Sequence, residues 1–307
     1  MAHGGATEPA GGRCRDQGGE LAAGGGMMGS KITRALVLSG GGGRGAYECG
    51  VYKRLEETNL LPDILVGTSI GAINAAAIAS GRSAAELEAI WLTTHTRDIQ
   101  RFWRLRPWRA IYDTSPWRKT LHRFIDFDAL ARTDKRLLIT ATEIETGQLR
   151  IFDNQEMSLT PDHILASCSI PLIYPWTPVG NYHYWDGAVM ANTPLVGAID
   201  AGADDILVVL LSPVGEQHIK PPRWPWHALA VMLDLALSAT FENDFKQLEN
   251  INRLVIAQLD ERHRHVHCQV VTPSQETGLL RIIRYEPEAS RQLIDLGYAD
   301  TLRVLAG

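Results

Sequence analysis

Residues 63–81 read DILVGTSIGAINAAAIASG, from Asp63 to Gly81. A short aliphatic run ends in a glycine, and a run of small residues suited to a helix follows at once. Between them lies Gly67-Thr68-Ser69-Ile70-Gly71, a G-x-S-x-G pattern with a strand before it and a helix after it. Such a turn needs small neighbours, which Gly67 and Gly71 supply. It also lifts the Ser69 hydroxyl from the start of a helix whose positive end favours developing negative charge. The same five residues would also serve as a plain helix cap, so Ser69 needs partners elsewhere in the chain before it reads as a nucleophile.

Upstream, residues 34–57 read RALVLSGGGGRGAYECGVYKRLEE. An apolar strand again gives way to a glycine turn and an amphipathic helix, an arrangement that aims backbone N–H groups at an anion. Gly40 to Gly45 satisfies G-x-G-x-x-G, which would suit a dinucleotide in an oxidoreductase. That reading wants an acidic residue at the end of the second strand to take the ribose hydroxyls. Here Asp63 begins that strand and the serine turn ends it, so no carboxylate stands where the ribose would be. The remaining anion is transient: the N–H groups of Gly41, Gly42 and Gly43, with Arg44, would stabilise the oxyanion of a tetrahedral intermediate, worth about 3–4 kcal/mol per donor. Arg44 reads as the residue that orders the loop.

A third stretch, YHYWDGAV at 182–189, carries Asp-Gly between apolar residues, which alone signals a hairpin. Beside Ser69, Asp186 becomes the general base for the hydroxyl proton. An aspartate of ordinary pKa is too weak for that task, so its aromatic and aliphatic neighbours must desolvate it.

Together these stretches resemble the patatin-like acyl hydrolases, which are similar in turn to the catalytic module of cytosolic phospholipase A2. The family's G-G-G-x-[RK]-G loop is matched by Gly40 to Gly45, its G-x-S-x-G elbow by Gly67 to Gly71, and its D-G-[GA] motif by Asp186, Gly187 and Ala188. Residues 166–194, ASCSIPLIYPWTPVGNYHYWDGAVMANTP, resemble the family's approach to its aspartate, including a Ser-x-x-x-Pro turn and the pair Asn192-x-Pro194. The likeness spans about residues 33–212. It implies a Ser69–Asp186 dyad without a catalytic histidine, a lipid acyl-ester substrate and no cofactor. The competing Ser-Asp-His triad would draw its histidine from His263, His265 or His267. The glycine loop argues against it, because it sits on the first strand with an arginine, unlike an H-G-G-G loop. A lipid-binding protein that keeps the fold without the chemistry is the other alternative.

The remaining pattern alternates strand and helix. Strands are expected at 35–39, 63–66, 136–144, 149–153 and 204–212, with helices from about Arg44, Ile70, Ser83, Pro161 and Pro194. That order implies an α/β fold with a mainly parallel sheet sandwiched by helices. Ser83 and Glu86 form a capping-box pair, and Thr193-Pro194 suits an N-cap and first helical position. Residues 1–30 hold 10 of the 28 glycines and no apolar run, so a disordered leader is expected before a single domain at 31–307, with its core at 33–212 and a helical part at 213–307. Leu229, Leu233, Leu237, Phe241, Phe245 and Leu248 recur at helical spacing, so their stripe packs one long helix onto the domain. No apolar run reaches about eighteen residues, so no membrane span is expected.

The net charge of −5 gives no general pull toward nucleic acid or acidic lipid. Residues 97–123 depart from it, with seven arginines and one lysine against two aspartates, interleaved with Trp103, Trp108 and Trp117. Two readings stand side by side: a peripheral membrane contact, or an ordered segment whose tryptophans are core and whose arginines pair locally. No nucleic-acid fold signature accompanies it. Arg262 to Cys268 alternates histidines, which suits a solvated strand face better than a metal site lacking a fourth ligand. Four scattered cysteines without a C-x-x-C pair suggest a reducing, cytoplasmic setting.

Overall fold

Aliphatic runs flanked by turn residues become the strands β1 (Arg34–Leu38) and β2 (Ile64–Thr68), the short ribbon β3 (Arg101–Phe102) and β4 (Tyr112–Asp113), then β5 (Arg136–Glu143), β6 (Gln148–Asp153), β7 (Thr177–Val179), β8 (Tyr182–Asp186), β9 (Asp205–Val209) and β10 (His267–Val271). The helices are α1 (Ala46–Glu57), α2 (Ile70–Ala79), α3 (Ala84–Trp91), α4 (Thr96–Ile99), α5 (Ser115–Phe124), α6 (Phe127–Leu130), α7 (Pro161–Ser167), α8 (Leu195–Asp200), α9 (Pro225–Ile256) and α10 (Pro287–Ala306). This is a computed structural model describing residues 32–102, 110–213, 221, 224–259 and 264–306. The leader expected at 1–30 falls outside them.

Five strands run parallel in the order β10, β9, β1, β2, β5. β5 then organises the side of the sheet opposite β10. Its residues Leu138 to Glu143 pair on one side with antiparallel β6. On the other side β2 occupies Arg136 to Thr140, and antiparallel β8 occupies Ala141 to Glu143. β2 and β8 therefore lie on the same side of β5 and approach each other end to end, because one runs with β5 and the other against it. The last residue of β2 is Thr68 and the last of β8 is Asp186, so their C-terminal ends meet.

The sheet is covered on both faces, as a parallel sheet requires. Alternation along β1 shows the division: Leu36 and Leu38 enter the larger core with α1, α2, α3, α5 and α10, whereas Ala35 and Val37 enter a second core with Leu195, Ala198, Phe241 and Leu248. The expected α/β sandwich is the observed one. The long late helix is α9. Phe241 and Leu248 of its stripe are buried, while the side chains of Leu229, Leu233 and Leu237 lie outside those described.

Two local expectations resolve differently. At α3, Ser83 accepts from the Glu86 N–H and Glu86 accepts from the Ser83 N–H, completing the capping box. At α8, Pro194 occupies the capping position and the buried Thr193 hydroxyl finds no partner among the described residues. The cap was misread because a proline that ends the preceding loop looks the same in sequence as one that opens a helix. The part beyond residue 212 contributes the edge strand β10 as well as helices. There the exposed His267 pairs with Asp205 at 2.8 Å.

Candidate active site

Ser69 sits between β2 and α2 with φ 56° and ψ −123°. That left-handed φ is costly for a residue with a side chain, on the order of 1–3 kcal/mol, and is found where surrounding structure holds it. Gly67 and Gly71 make the turn sterically feasible, since a Cβ at either would meet backbone atoms at 2.5 Å and 2.3 Å. The Ser69 N–H donates to Ser167 Oγ at 2.8 Å, fixing the elbow from the end of α7. Thr68, one residue back, makes a hydroxyl contact of 2.5 Å with Thr140 of β5 and donates to the Ala191 carbonyl.

Ser69 Oγ donates to Asp186 Oδ2 at 2.6 Å. Both residues are buried, Ser69 at 4% exposure and Asp186 at 2%. The second carboxylate oxygen accepts from the Ala188 N–H at 2.9 Å, and the Asp186 N–H donates to the Ser169 carbonyl. Burial pushes the Asp186 carboxyl up to about 7, although the hydrogen bonds from Ser69 and Ala188 pull it down. A carboxylate that is dry yet still accepts two hydrogen bonds has the basicity that the sequence required of it. Cys168, also buried, lies between the two serines that orient this pair, and burial keeps its thiol protonated.

The glycine loop joins β1 to α1 through a 3-10 turn, Gly42–Gly45. The first N–H groups of such a turn have no carbonyl partner within it, which leaves donors at its start. Gly40, absent from the site set drawn from sequence, approaches Ser69 closely: a Cβ there would stand 3.1 Å from Ser69 Cβ and 2.5 Å from Asn192 Oδ1. Asn192 Oδ1 is itself buried without a partner among the described residues. Arg44 is buried, and its guanidinium donates to the Gly41 carbonyl and to Ser212 Oγ. Its backbone N–H also goes to Gly41 O at 3.3 Å. Arg44 thus links the loop to the segment that follows β9.

Backbone packing from a distant segment accounts for glycine at 42 and 43. Gly42 has φ +59°, and a Cβ there would lie 1.7 Å from the Ile282 carbonyl oxygen; at Gly43 it would lie 2.0 Å from that of Arg284. The turn Leu279–Ile283 and the residue after it press their backbone onto the loop. Their sequence carries no pattern that announces this, being a contact across more than two hundred residues.

Other sequence candidates stand apart. His183 pairs with Glu145 at 2.6 Å on the exposed β7–β8 hairpin, and His267 pairs with Asp205 at the sheet edge. His263 lies outside the described residues, as do Trp103, Arg104, Arg106 and Trp108. Trp117 is core, in edge contact with Tyr174. Two supports were missed altogether: Ser167, and Asn74, whose amide joins Gly45 O to Glu48 and accepts from Trp91. The signal for Asn74 was one polar residue within a helix of otherwise small and aliphatic ones.

The family profile of patatin-like phospholipases matches residues 36–199. The chain belongs to that family. It is 26% identical to the "cGAMP-activated phospholipase" of Escherichia coli (strain TW11681), over 62% of this chain and 64% of that protein. A patatin-like phospholipase domain-containing protein of Pyricularia oryzae is 33% identical over 52% of this chain and 24% of its own length. The chain therefore spans less than two thirds of these curated relatives. Among solved structures, VipD from Legionella pneumophila is similar at a TM-score of 0.47 with 12% identity, covering 90% of this chain and 67% of that one; a likeness at that level adds nothing to the family assignment. Within the patatin-like match lie the glycine loop, Ser69 and Asp186.

Proposed function

We propose that this patatin-like protein is a lipid acyl hydrolase of phospholipase A or lysophospholipase type, working through an acyl-Ser69 intermediate. The observation that carries the reading is the 2.6 Å hydrogen bond from Ser69 to a buried Asp186 whose carboxyl is pushed up to about 7. Ser69 Oγ attacks the ester carbonyl and its proton passes to Asp186 Oδ2. The carbonyl oxygen takes the negative charge and is held by N–H groups at the start of the glycine loop, Gly41 to Gly43, in the setting braced by Arg44. Collapse of the tetrahedral species breaks the ester C–O bond, and the alcohol leaves with the proton from Asp186. Water then attacks the acyl-serine and gives a proton to Asp186; collapse breaks the acyl C–Oγ bond, Asp186 returns the proton to Ser69 Oγ, and the fatty acid is released.

These steps draw on side chains and backbone alone. Family membership supports ester hydrolysis, and the name of the E. coli relative supports a phospholipid as the substrate class. A cytoplasmic setting with lipid met at a membrane surface fits that substrate. The rival is a lipid-binding protein without turnover. A fluorophosphonate probe separates them: labelling of the wild type and not of Ser69→Ala, together with fatty-acid release from a phospholipid and lysophospholipid panel, supports the hydrolase. A probe that leaves folded wild type unlabelled removes it.

A further inference from the structure

The ribbon of β3 and β4 is joined to the region of the dyad by backbone bonds at the start of β4. The Ile111 N–H donates to Leu172 O and the Tyr112 N–H to Ile173 O, both at 3.0 Å. The segment they dock on begins at the dyad: Ser167 accepts from the Ser69 N–H, and Ser169 accepts from the Asp186 N–H. Leu172 lies three residues beyond Ser169, within about 11 Å of it even if fully extended.

Three large apolar side chains stand in solvent here: Phe102 at 69% exposure, Ile111 at 43% and Leu172 at 75%. Leu172 does so at φ 69°, a left-handed conformation that leucine rarely adopts. Strain of this kind persists where surrounding structure holds it and tends to cluster at functional sites. The surroundings are basic in a chain of net negative charge. Arg101 precedes Phe102 with 65% of its side chain exposed, paired with Asp113 at 3.3 Å, and Arg97 is exposed four residues before it. Trp117, packed on Tyr174, brings the first turn of α5 beside the same segment, and α5 exposes Lys119 and Arg118, the latter paired with Asp162.

We propose that Phe102, Ile111 and Leu172 form an apolar wedge that enters the surface of an anionic lipid layer, with Arg97 and Lys119 meeting its headgroups. The proposal rests on the lipid-hydrolase reading for its purpose and on exposure and charge for its place. It moves the membrane contact expected at 97–123 off Trp117, which is core, and onto the ribbon and Leu172. An exposed apolar side chain gains about tenfold in partitioning on burial in hydrocarbon, and charge attraction to the surface weakens as salt shortens the screening length.

The test uses flotation with vesicles of phosphatidylcholine and phosphatidylglycerol in equal parts. Two variants are compared with wild type: Leu172→Gly, which removes one side chain and relieves its φ, and Leu172→Gly with Phe102→Ser and Ile111→Ser. Leu172→Gly should fold at least as well as wild type and bind vesicles several-fold more weakly. The triple variant should lose at least a further tenfold, and wild-type binding should fall with added salt. Hydrolysis of p-nitrophenyl butyrate, a soluble ester, should stay within about twofold for both. If Leu172→Gly, folded by its melting curve, floats with vesicles as wild type does, the wedge is overturned. It is equally overturned if wild type sediments as a dimer that Leu172→Gly dissociates while vesicle binding is unchanged, since the patch then joins two copies. Vesicle binding that follows the pattern without turnover of any ester upholds the wedge and removes the hydrolase reading.

Discussion

Ser69 and Asp186, 117 residues apart in the chain, share a 2.6 Å hydrogen bond because Thr68 and Asp186 pair with consecutive residues of one strand, Thr140 and Ala141. The serine follows the end of β2 and the aspartate is the end of β8. Neither motif carries this geometry; β5 does.

Nucleophile and base should act as one unit. Ser69→Ala and Asp186→Asn are each expected to abolish ester turnover and fluorophosphonate labelling while the melting transition persists, and the double variant should be no worse than either. Ser69→Gly should also be inactive yet more stable, by about 1 kcal/mol, because glycine accepts the left-handed φ. A Ser69→Gly melting point below that of wild type would remove the claim of strain.

Activity and stability should respond to pH in opposite directions. On the proposed mechanism the base works as a carboxylate, so kcat/KM is expected to rise with pH through about 7, where burial has pushed Asp186. The folded state holds this proton to higher pH than the unfolded chain does. Its contribution to stability is therefore complete below the unfolded value of 3.8 and is lost as pH rises through about 7. The full effect is on the order of 4 kcal/mol. Asp186→Asn should thus melt higher than wild type above about pH 8 and lose most of that advantage near about pH 4, as thermal scans across pH would show.

Single replacement of His183, His265 or His267 by Gln should leave most of the ester hydrolysis, since His183 and His267 pair with Glu145 and Asp205 on the surface. His263→Gln should do the same on the dyad mechanism. One histidine whose loss matches that of Ser69→Ala in steady-state kinetics would turn the dyad into a triad.

Gly42→Ala and Gly43→Ala should fail first in stability. The new Cβ would meet the carbonyls of Ile282 and Arg284, so folding is disturbed before any oxyanion is bound. Gly147→Ala is the control: its φ is +65° and nothing lies within 4 Å of the added atom, so it should lose only about 1 kcal/mol. Chemical denaturation of the three variants separates close approach from φ alone.

Asn74→Leu should cost about 2–4 kcal/mol, because it strands the Trp91 N–H and the Glu48 carboxyl in the core. Burial pushes Glu48 well above the usual carboxylate range, so Glu48→Gln should be nearly neutral by the same denaturation measurement. Equal losses for both would mean that Glu48 is charged.

What sequence made legible was local. The glycine loop, the elbow and Asp-Gly-Ala are each contiguous, and each demands residue types that few other structures need. The strand-helix alternation likewise follows from periods of two and 3.6 within short windows. What escaped was set by distant pairing. Nothing near Gly42 signals Ile282, nothing near Ser69 signals Ser167, and the exposure of Leu172 cannot be read from a segment that looks like core. Trp117 shows the opposite limit, since interleaved arginines left a buried ring and a surface one equally open in sequence, and the structure takes the buried one.

The end-to-end meeting of β2 and β8 also sets an order in time. A ribosome making this chain delivers the serine before its base, and the turn that presses on the glycine loop comes later still. Until β8 has been translated and added to β5, Ser69 has no proton acceptor. Until residues 281–284 fold back, Gly42 and Gly43 lack the backbone they are shaped to fit. On the proposed mechanism a nascent chain is thus chemically silent toward the lipids around it, and onset of turnover reports that the two ends of the fold have closed.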